Sequence, residues 1–354
     1  MQPAAEHFPL QSLKRAEAID DVLMGALDQR FTAAVARVER GGRLLYERAI
    51  GRTRIDGPSV PVYADTRFDL ASITKLFVTT VALDLVANGR ADLDTPLSAF
   101  MPEWRDDGHA AITMRMLLSH TSGLHSGADY RTILDERVTD FALRLPLAAR
   151  PGERVIYSDL GMIALGVAIE RIAGRSLPAA LASVVPFGAS FNPREAERAA
   201  IPATEDDGWR GRVQGRVHDE KAHLMHGVAG HAGLFGSAAA VARLTEVYLA
   251  AASGRDTSVL PPALAREAIA CAADDPVLRR GLGWALKTSD ENSCGANFGS
   301  HSFGHTGFTG TSVWADPQRD LQAVLLTNAV YFGREDSRPL RAAFYDAVIE
   351  TFGL

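Results

Sequence analysis

Apolar residues recur at helical spacing near the start of the chain, at Leu13, Ala16, Ile19, Val22, Leu23 and Leu27, and predict an amphipathic helix over residues 11–29. The pattern then changes. TAAVARVER-GG-RLLYERAIG reads as two strands joined at Gly41-Gly42, a pair that favours a tight hairpin turn. After a loop rich in Pro, Gly and Asp, FDLAS leads into TKLFVTTVALDLVANG, a helix that runs to about Asn88 with Gly89 as its stop. Residues 90–275 look mostly helical, in MRMLLSH, YRTILDERVTDFALRL, DLGMIALGVAIERIAG, SLPAALASVV, AAAVARLTEVYLAAAS and ALAREAIACAA. A polar stretch at 192–231, rich in charge, Gly and His, interrupts them, and a loop of that length is more often functional than idle.

Beyond residue 275, GLGWALK, HSFGHTG, TSVWADP and LQAVLLTNAVY read as short strands, and PLRAAFYDAVIETFG as a closing helix. Strands therefore lie at both ends of the chain. A lone hairpin needs sheet neighbours, so the two ends are expected to share one antiparallel sheet. The fold class predicted is α/β (α+β). An antiparallel sheet flanked by helices, built from residues 1–75 and 276–354, would pack on a mostly helical domain from 76–275, with a cleft between them.

Composition narrows the partners. A hydrophobic content of 47% with 23% charged residues is ordinary for a globular chain, and a net charge of −6 gives no reason to expect nucleic acid or an anionic membrane. No run of apolar residues is long enough to span a bilayer, and the N-terminus lacks an apolar signal core, so a cytoplasmic location is expected. Cys271 and Cys294 could pair, but two cysteines fit no disulfide framework or metal site. Lysine is scarce: Lys14, Lys75, Lys221 and Lys287 are all there are, and every other basic residue is arginine.

That scarcity draws attention to Ala71-Ser72-Ile73-Thr74-Lys75. Positions i and i+3 share a helix face, so Lys75 can reach the Ser72 hydroxyl. A serine is a weak nucleophile that needs a neighbouring base, and a lysine serves if burial lowers its pKa. Lys75 also heads a segment apolar almost all round, where a lone cation needs a reason. Tyr157-Ser158-Asp159 precedes another apolar helix; nearby positive charge would suit Tyr157 to act as a general base. His305-Thr306-Gly307 lies in a strand near the end, where glycine marks a close backbone approach and a following amide could form half of an oxyanion hole. Each piece alone has a plain alternative. Ser72, Ser158 or Asp159 would serve as helix N-caps, Lys75 as a solvated residue and His305 as a half-exposed strand residue.

In this order the three motifs resemble those of the serine β-lactamase and penicillin-binding protein superfamily, most closely its class C β-lactamase-like branch of esterases and D-amino-acid peptidases. LLSHTSGL (117–124), YSDLGMIALG (157–166), GVAGHAGLFGSAAAVARL (227–244) and HTGFTGTSVWADPQRDLQAVLLTN (305–328) extend the resemblance over nearly the whole chain. It implies a serine hydrolase working through an acyl-enzyme on a small ester, peptide or β-lactam, with no cofactor. It assigns Ser72 as acyl acceptor, Lys75 as its activating partner and Tyr157 as the base that shuttles protons. The backbone amides of Ser72 and Phe308 would form the oxyanion hole, and Asp159, His305, Thr306 and Gly307 would meet the substrate.

Two positions depart from the family pattern. His305 stands where a lysine is usual, and so offers positive charge to a substrate carboxylate only when protonated. Asp159 replaces an asparagine and would raise the pKa of Lys75. Both changes favour an esterase or peptidase over an efficient β-lactamase. The stretch 204–227 is expected to border the site, with Arg210, Arg212 and His218 as contacts for an acidic substrate group. His218, His223, His226 and His231 lack the His-Glu-x-x-His spacing of a metal site. No serine has the Gly-x-Ser-x-Gly context of an α/β-hydrolase, which leaves a non-turnover penicillin-binding-like sensor as the rival from another class.

Overall fold

Gly41 and Gly42 both adopt positive φ, 56° and 74°, which glycine tolerates without a Cβ clash. This turn folds β1 (Ala33–Arg40) back on β2 (Arg43–Gly51), with Arg40 opposite Arg43. The structure, a computed structural model, describes residues 10–353 except 258 and 290. Four later strands complete the sheet: β3 (Ala285–Leu286), β4 (Phe303–Thr306), β5 (Ser312–Asp316) and β6 (Leu321–Thr327). Their order is β2-β1-β6-β5-β4-β3, every neighbouring pair antiparallel. The ends of the chain meet at β1 and β6, with Val35 opposite Leu326.

Side chains alternate across these central strands. Ala34, Ala36 and Val38 of β1, with Leu321, Ala323 and Leu325 of β6, face helices α1 (Leu10–Ala26) and α5 (Arg338–Phe352) through Ile19, Leu23, Phe344 and Val348. Ala33, Val35, Val324 and Leu326 face the opposite way, into the larger core. That core holds α2 (Thr74–Ala87), α3 (Asp159–Ala173) and α4 (Ala238–Ala252). Helix α2 is buried almost all round, as expected of a helix with no polar stripe. Each fully buried Leu or Phe here contributes about 1.5–3 kcal/mol.

The helix expected over YRTILDERVTDFALRL is shorter than its sequence suggests. Only Val138–Arg144 is α-helical, after a single 3-10 turn at Tyr130–Thr132 that the Asp129 carboxylate closes by accepting the Arg131 amide. The buried Ile133 and Val138 are five residues apart, off the spacing one helix would need to bury both. Cys271 is exposed and Cys294 is buried, and no disulfide joins them. Among the described residues no helix is long and apolar enough to cross a membrane.

Gly230 lies against the backbone of α3, where an added Cβ would stand 2.0 Å from the Met162 carbonyl oxygen. Two backbones are in contact, and neither can rotate away. Gly230→Ala is expected to cost about 3 kcal/mol, at the upper end for overpacking, read as a lower urea midpoint. An unchanged midpoint would mean that this contact is not tight.

Candidate active site

Ser72 sits in a 3-10 turn, Ala71–Ile73, that runs directly into α2. Ala71 before it is forced to positive φ, 45°, a strained state for a residue with a Cβ. The strain is held from several sides. The Asp69 carboxylate accepts the Ala71 amide at 2.9 Å and the His218 amide at 2.6 Å, while Thr309 and Thr311 donate hydroxyls to the Asp69 and Leu70 carbonyls at 2.8 and 3.1 Å. Gly307 closes the same contact, since a Cβ there would lie 2.6 Å from the Leu70 oxygen and 2.1 Å from the Thr311 hydroxyl. The Arg341 guanidinium of α5 donates to the Gly307 and Thr311 carbonyls at 2.6 and 3.3 Å and pins the turn from outside. The end of β4 is thus stapled to the turn that carries Ser72. The amides of Ser72 and Phe308 lie on the two sides of this contact, and neither meets a protein acceptor among the described residues.

Lys75 is fully buried and uses its three N–H bonds within the protein. It donates to Ser72 Oγ at 2.8 Å and to the His231 carbonyl at 3.1 Å, and it pairs with Asp159 Oδ1 at 3.0 Å. Two opposing pulls act on it, burial lowering its pKa and Asp159 raising it. Burial is the larger single effect, yet Asp159 and Tyr157 together outweigh it, and the pKa is raised. Lys75 is therefore an ammonium that donates to Ser72. The rise is in the direction expected from Asp159 standing where the family usually has an asparagine.

Asp159 is the hinge of a longer chain of charges. Its second oxygen lies 3.5 Å from Lys221 Nζ, which also pairs with Asp219 at 3.2 Å, and Asp219 accepts from His231 Nε2 at 2.8 Å. Attraction to His231 and Lys221 outweighs burial at Asp219 and holds its carboxyl well below the usual range. Lys221, Asp219 and His231 were not singled out as site residues from the sequence. The scarcity of lysine was the available signal for Lys221, but only folding brings 219–231 onto α3 beside Lys75. Asp159, Asp219 and His231 could in principle face one metal ion, their ligand atoms lying within 4.8 Å of one another. Two ammonium groups already pair with those carboxylates, and a cation would have to displace them.

Tyr157 is ringed by nitrogen. The Lys75 ammonium and the Arg280 guanidinium each lie 5.0 Å from its ring centroid, and the His120 and His305 rings lie at 4.7 and 6.0 Å. His120 Nδ1 accepts the Ser158 amide at 3.1 Å, and Ser158 caps α3 by accepting the Gly161 amide at 2.8 Å. Ser158 is thus the plain N-cap anticipated for it, and it fixes its neighbours on either side. His305 is buried, with Nδ1 2.8 Å from the Thr306 carbonyl oxygen. Burial first, then Arg280 and Lys75, push its pKa well below the ordinary value. At neutral pH it carries no charge to offer a carboxylate.

Ser72, Tyr157, His305, Thr306, Gly307 and Phe308 line one cavity of about 1080 Å³. Arg210 and Arg212 do not line it and face a separate cavity. Arg210 pairs with Asp207 at 2.6 Å and also donates to the Val217 and His218 carbonyls. Arg212 pairs with Asp56 at 2.7 Å and lies over the Tyr331 ring. Internal carboxylates neutralise both, so the expected role in meeting an acidic substrate is corrected. His218 is buried against Glu205, and its ring stacks on Phe308 at 5.6 Å, so it borders the cavity from behind.

The family model described as Beta-lactamase matches residues 16–347. The chain belongs to this family. Among relatives, esterase EstB of Burkholderia gladioli is 32% identical, covering 96% of this chain and 97% of its own. An N-acetylmuramyl-L-alanine amidase of Bacillus subtilis (strain 168) is 31% identical over 90% of this chain and 81% of its own. The hydrolase EstCE1, described as having promiscuous acyltransferase activity, shares the fold at TM-score 0.76 and 23% identity, covering 95% of this chain and 99% of its own. A class C β-lactamase from Rhodobacter sphaeroides does so at 0.73 and 20%, covering 94% and 98%. The chain is a serine hydrolase of the β-lactamase family, with the antiparallel α/β fold expected of it.

The buried imidazoles set a pH dependence. Unfolded, His120 and His305 protonate near pH 6.5. Folded, they resist protonation, through burial and then the nearby cations. Only the unfolded state takes up these protons, so stability is complete above about pH 6.5 and falls as the pH drops below it. Urea midpoints are expected to decline from about pH 7 to about pH 5, less steeply in His305→Gln. A wild-type midpoint that stays level across that interval would contradict the assignment.

Proposed function

We propose that this protein hydrolyses esters or amides of small acyl compounds through a covalent intermediate on Ser72. The observation that carries the reading is the 2.8 Å contact between Lys75 Nζ and Ser72 Oγ in a cavity that Tyr157 also lines. Ser72 Oγ attacks the substrate carbonyl, and Tyr157 accepts the serine proton. As the tetrahedral oxyanion collapses, the bond to the leaving group breaks and Tyr157 returns the proton to it. Water then attacks the acyl carbonyl and gives its proton to Tyr157; as the second tetrahedral intermediate collapses, the bond to Ser72 Oγ breaks and Tyr157 returns the proton to that oxygen.

Lys75, held charged by Asp159, stabilises the serine oxygen as its proton departs and fixes its position. The amides of Ser72 and Phe308 supply the oxyanion hole. Their free N–H groups flank the stapled contact between β4 and the Ser72 turn, and such preorganised donors act at no cost in rearrangement. The ester-cleaving relative of near-equal length supports an ester as the first substrate to try.

Two variants test the scheme. Ser72→Ala is expected to lower p-nitrophenyl ester turnover by several orders of magnitude and to abolish labelling by a fluorophosphonate, read by intact mass. Turnover near wild type would refute Ser72 as nucleophile. Tyr157→Phe is expected to lose about 10²- to 10⁴-fold in kcat while keeping the ability to bind ester. A single burst from the wild type with no further product would instead mark a sensor that acylates once.

A further inference from the structure

Two of the four lysines in this chain, Lys75 and Lys221, share one carboxylate. Asp159 Oδ1 lies 3.0 Å from the Lys75 ammonium, and Oδ2 lies 3.5 Å from that of Lys221. Lys221 also reaches Asp219 Oδ2 at 3.2 Å, and Asp219 Oδ1 accepts from His231 Nε2 at 2.8 Å. The backbone carbonyl of the same His231 accepts from Lys75 at 3.1 Å. The path returns to its start. Lys75, Asp159, Lys221, Asp219 and His231 form a closed ring, and its two lysines and its histidine are buried.

The two acceptors that leave one Lys75 N–H aimed at Ser72 belong to separate parts of the chain, Asp159 to α3 and His231 to the end of the polar segment. Lys221 and Asp219 join them through side chains. Asp219 is itself fixed, because it caps the short helix Glu220–Leu224 by accepting the Ala222 amide at 2.8 Å. The next acid along, Glu220, is taken up by Arg334. Charge decides what this tie does. Carboxylate oxygens of Asp159 and Asp219 come within 4.8 Å of each other, and like charges so close in a buried site repel far more strongly than in water. The Lys221 ammonium pairs with both. Without it, the two carboxylates face each other uncompensated, and Asp159 is driven away from the ammonium it orients. A compact charge with three donors fits between two single oxygens better than the flat fork of an arginine, the basic residue this chain uses almost everywhere else.

We infer that Lys221 is a positioning residue for acyl transfer: it holds Asp159 and Asp219 together and, through them, fixes the ammonium that meets Ser72. The inference rests on the reading of Ser72 as nucleophile and adds a residue that acts through Asp159 and Lys75. Lys221 forms no bond in the reaction and does not line the cavity.

The test separates charge from packing. Lys221→Met keeps the length of the side chain and removes its charge. It is expected to lower both kcat/KM for p-nitrophenyl butyrate and the rate of labelling by a fluorophosphonate by about 100-fold, as misplacement of a reacting group does. Adding Asp219→Asn removes the repulsion and keeps the oxygen that the Ala222 amide and His231 use, leaving Lys75 and Asp159 as a balanced pair. The double variant should therefore recover about tenfold of the loss. A space-filling role predicts the opposite, since two substitutions in one buried cluster would compound. Wild-type rates in Lys221→Met, or a double variant no faster than the single one, overturn the inference. If Lys221→Met does not fold, the double variant decides the matter. It should fold and turn over the ester, and failure to do either overturns the inference. Failure of the underlying reading looks different, as turnover and labelling that survive Ser72→Ala.

Discussion

An ammonium group buried at the head of an apolar helix is the constraint around which this site is organised. Lys75 has no water to satisfy it, so the fold must bring three acceptors to one nitrogen. Two of the three come from far along the chain, Asp159 at the start of α3 and the His231 carbonyl at the end of the polar segment. Asp159 then carries negative charge into the interior, where Lys221 and Asp219 continue the alternation and His231 hydrogen-bonds to the last carboxylate. Breaking such a buried pair leaves an uncompensated charge, which is more damaging than never having built it. The long loop is therefore tied to α3 for an electrostatic reason as well as a packing one.

A second constraint aligns helix with sheet. The Ser72 turn is strained at Ala71, and the strain persists because Asp69, Thr309, Thr311 and Gly307 over-determine it. Ser72 and Phe308, the residues that follow Ala71 and Gly307 in this contact, both line the cavity. In the proposed mechanism this is where negative charge develops on the carbonyl oxygen, so stapling and catalysis share the same atoms. Arg341 reinforces the staple from α5, which links the C-terminal helix to the geometry of the site.

Much of the fold was readable from local pattern. The Gly41-Gly42 hairpin, the apolar helix ending at Gly89 and the late strands followed from period and turn chemistry, and the structure has each of them. The failure over 130–144 was also local, because helical composition concealed a turn closed by Asp129. At the site, Ser72, Lys75, Tyr157 and His305 stood out because short spacings and motif order carry their chemistry. Arg210 and Arg212 misled because charge in a loop does not reveal its partner, and here the partners are Asp207 and Asp56.

By itself the sequence determined the elements, the family resemblance and the residues that can act on a carbonyl, since these depend on neighbours within a few positions. Tertiary structure alone decided how those residues are charged. Lys75 is held cationic where Asp159 reaches it, and His305 is neutral because it is buried. Protonation depends on the distance to charges remote in sequence and on exclusion of water, and neither is encoded in the order of adjacent residues.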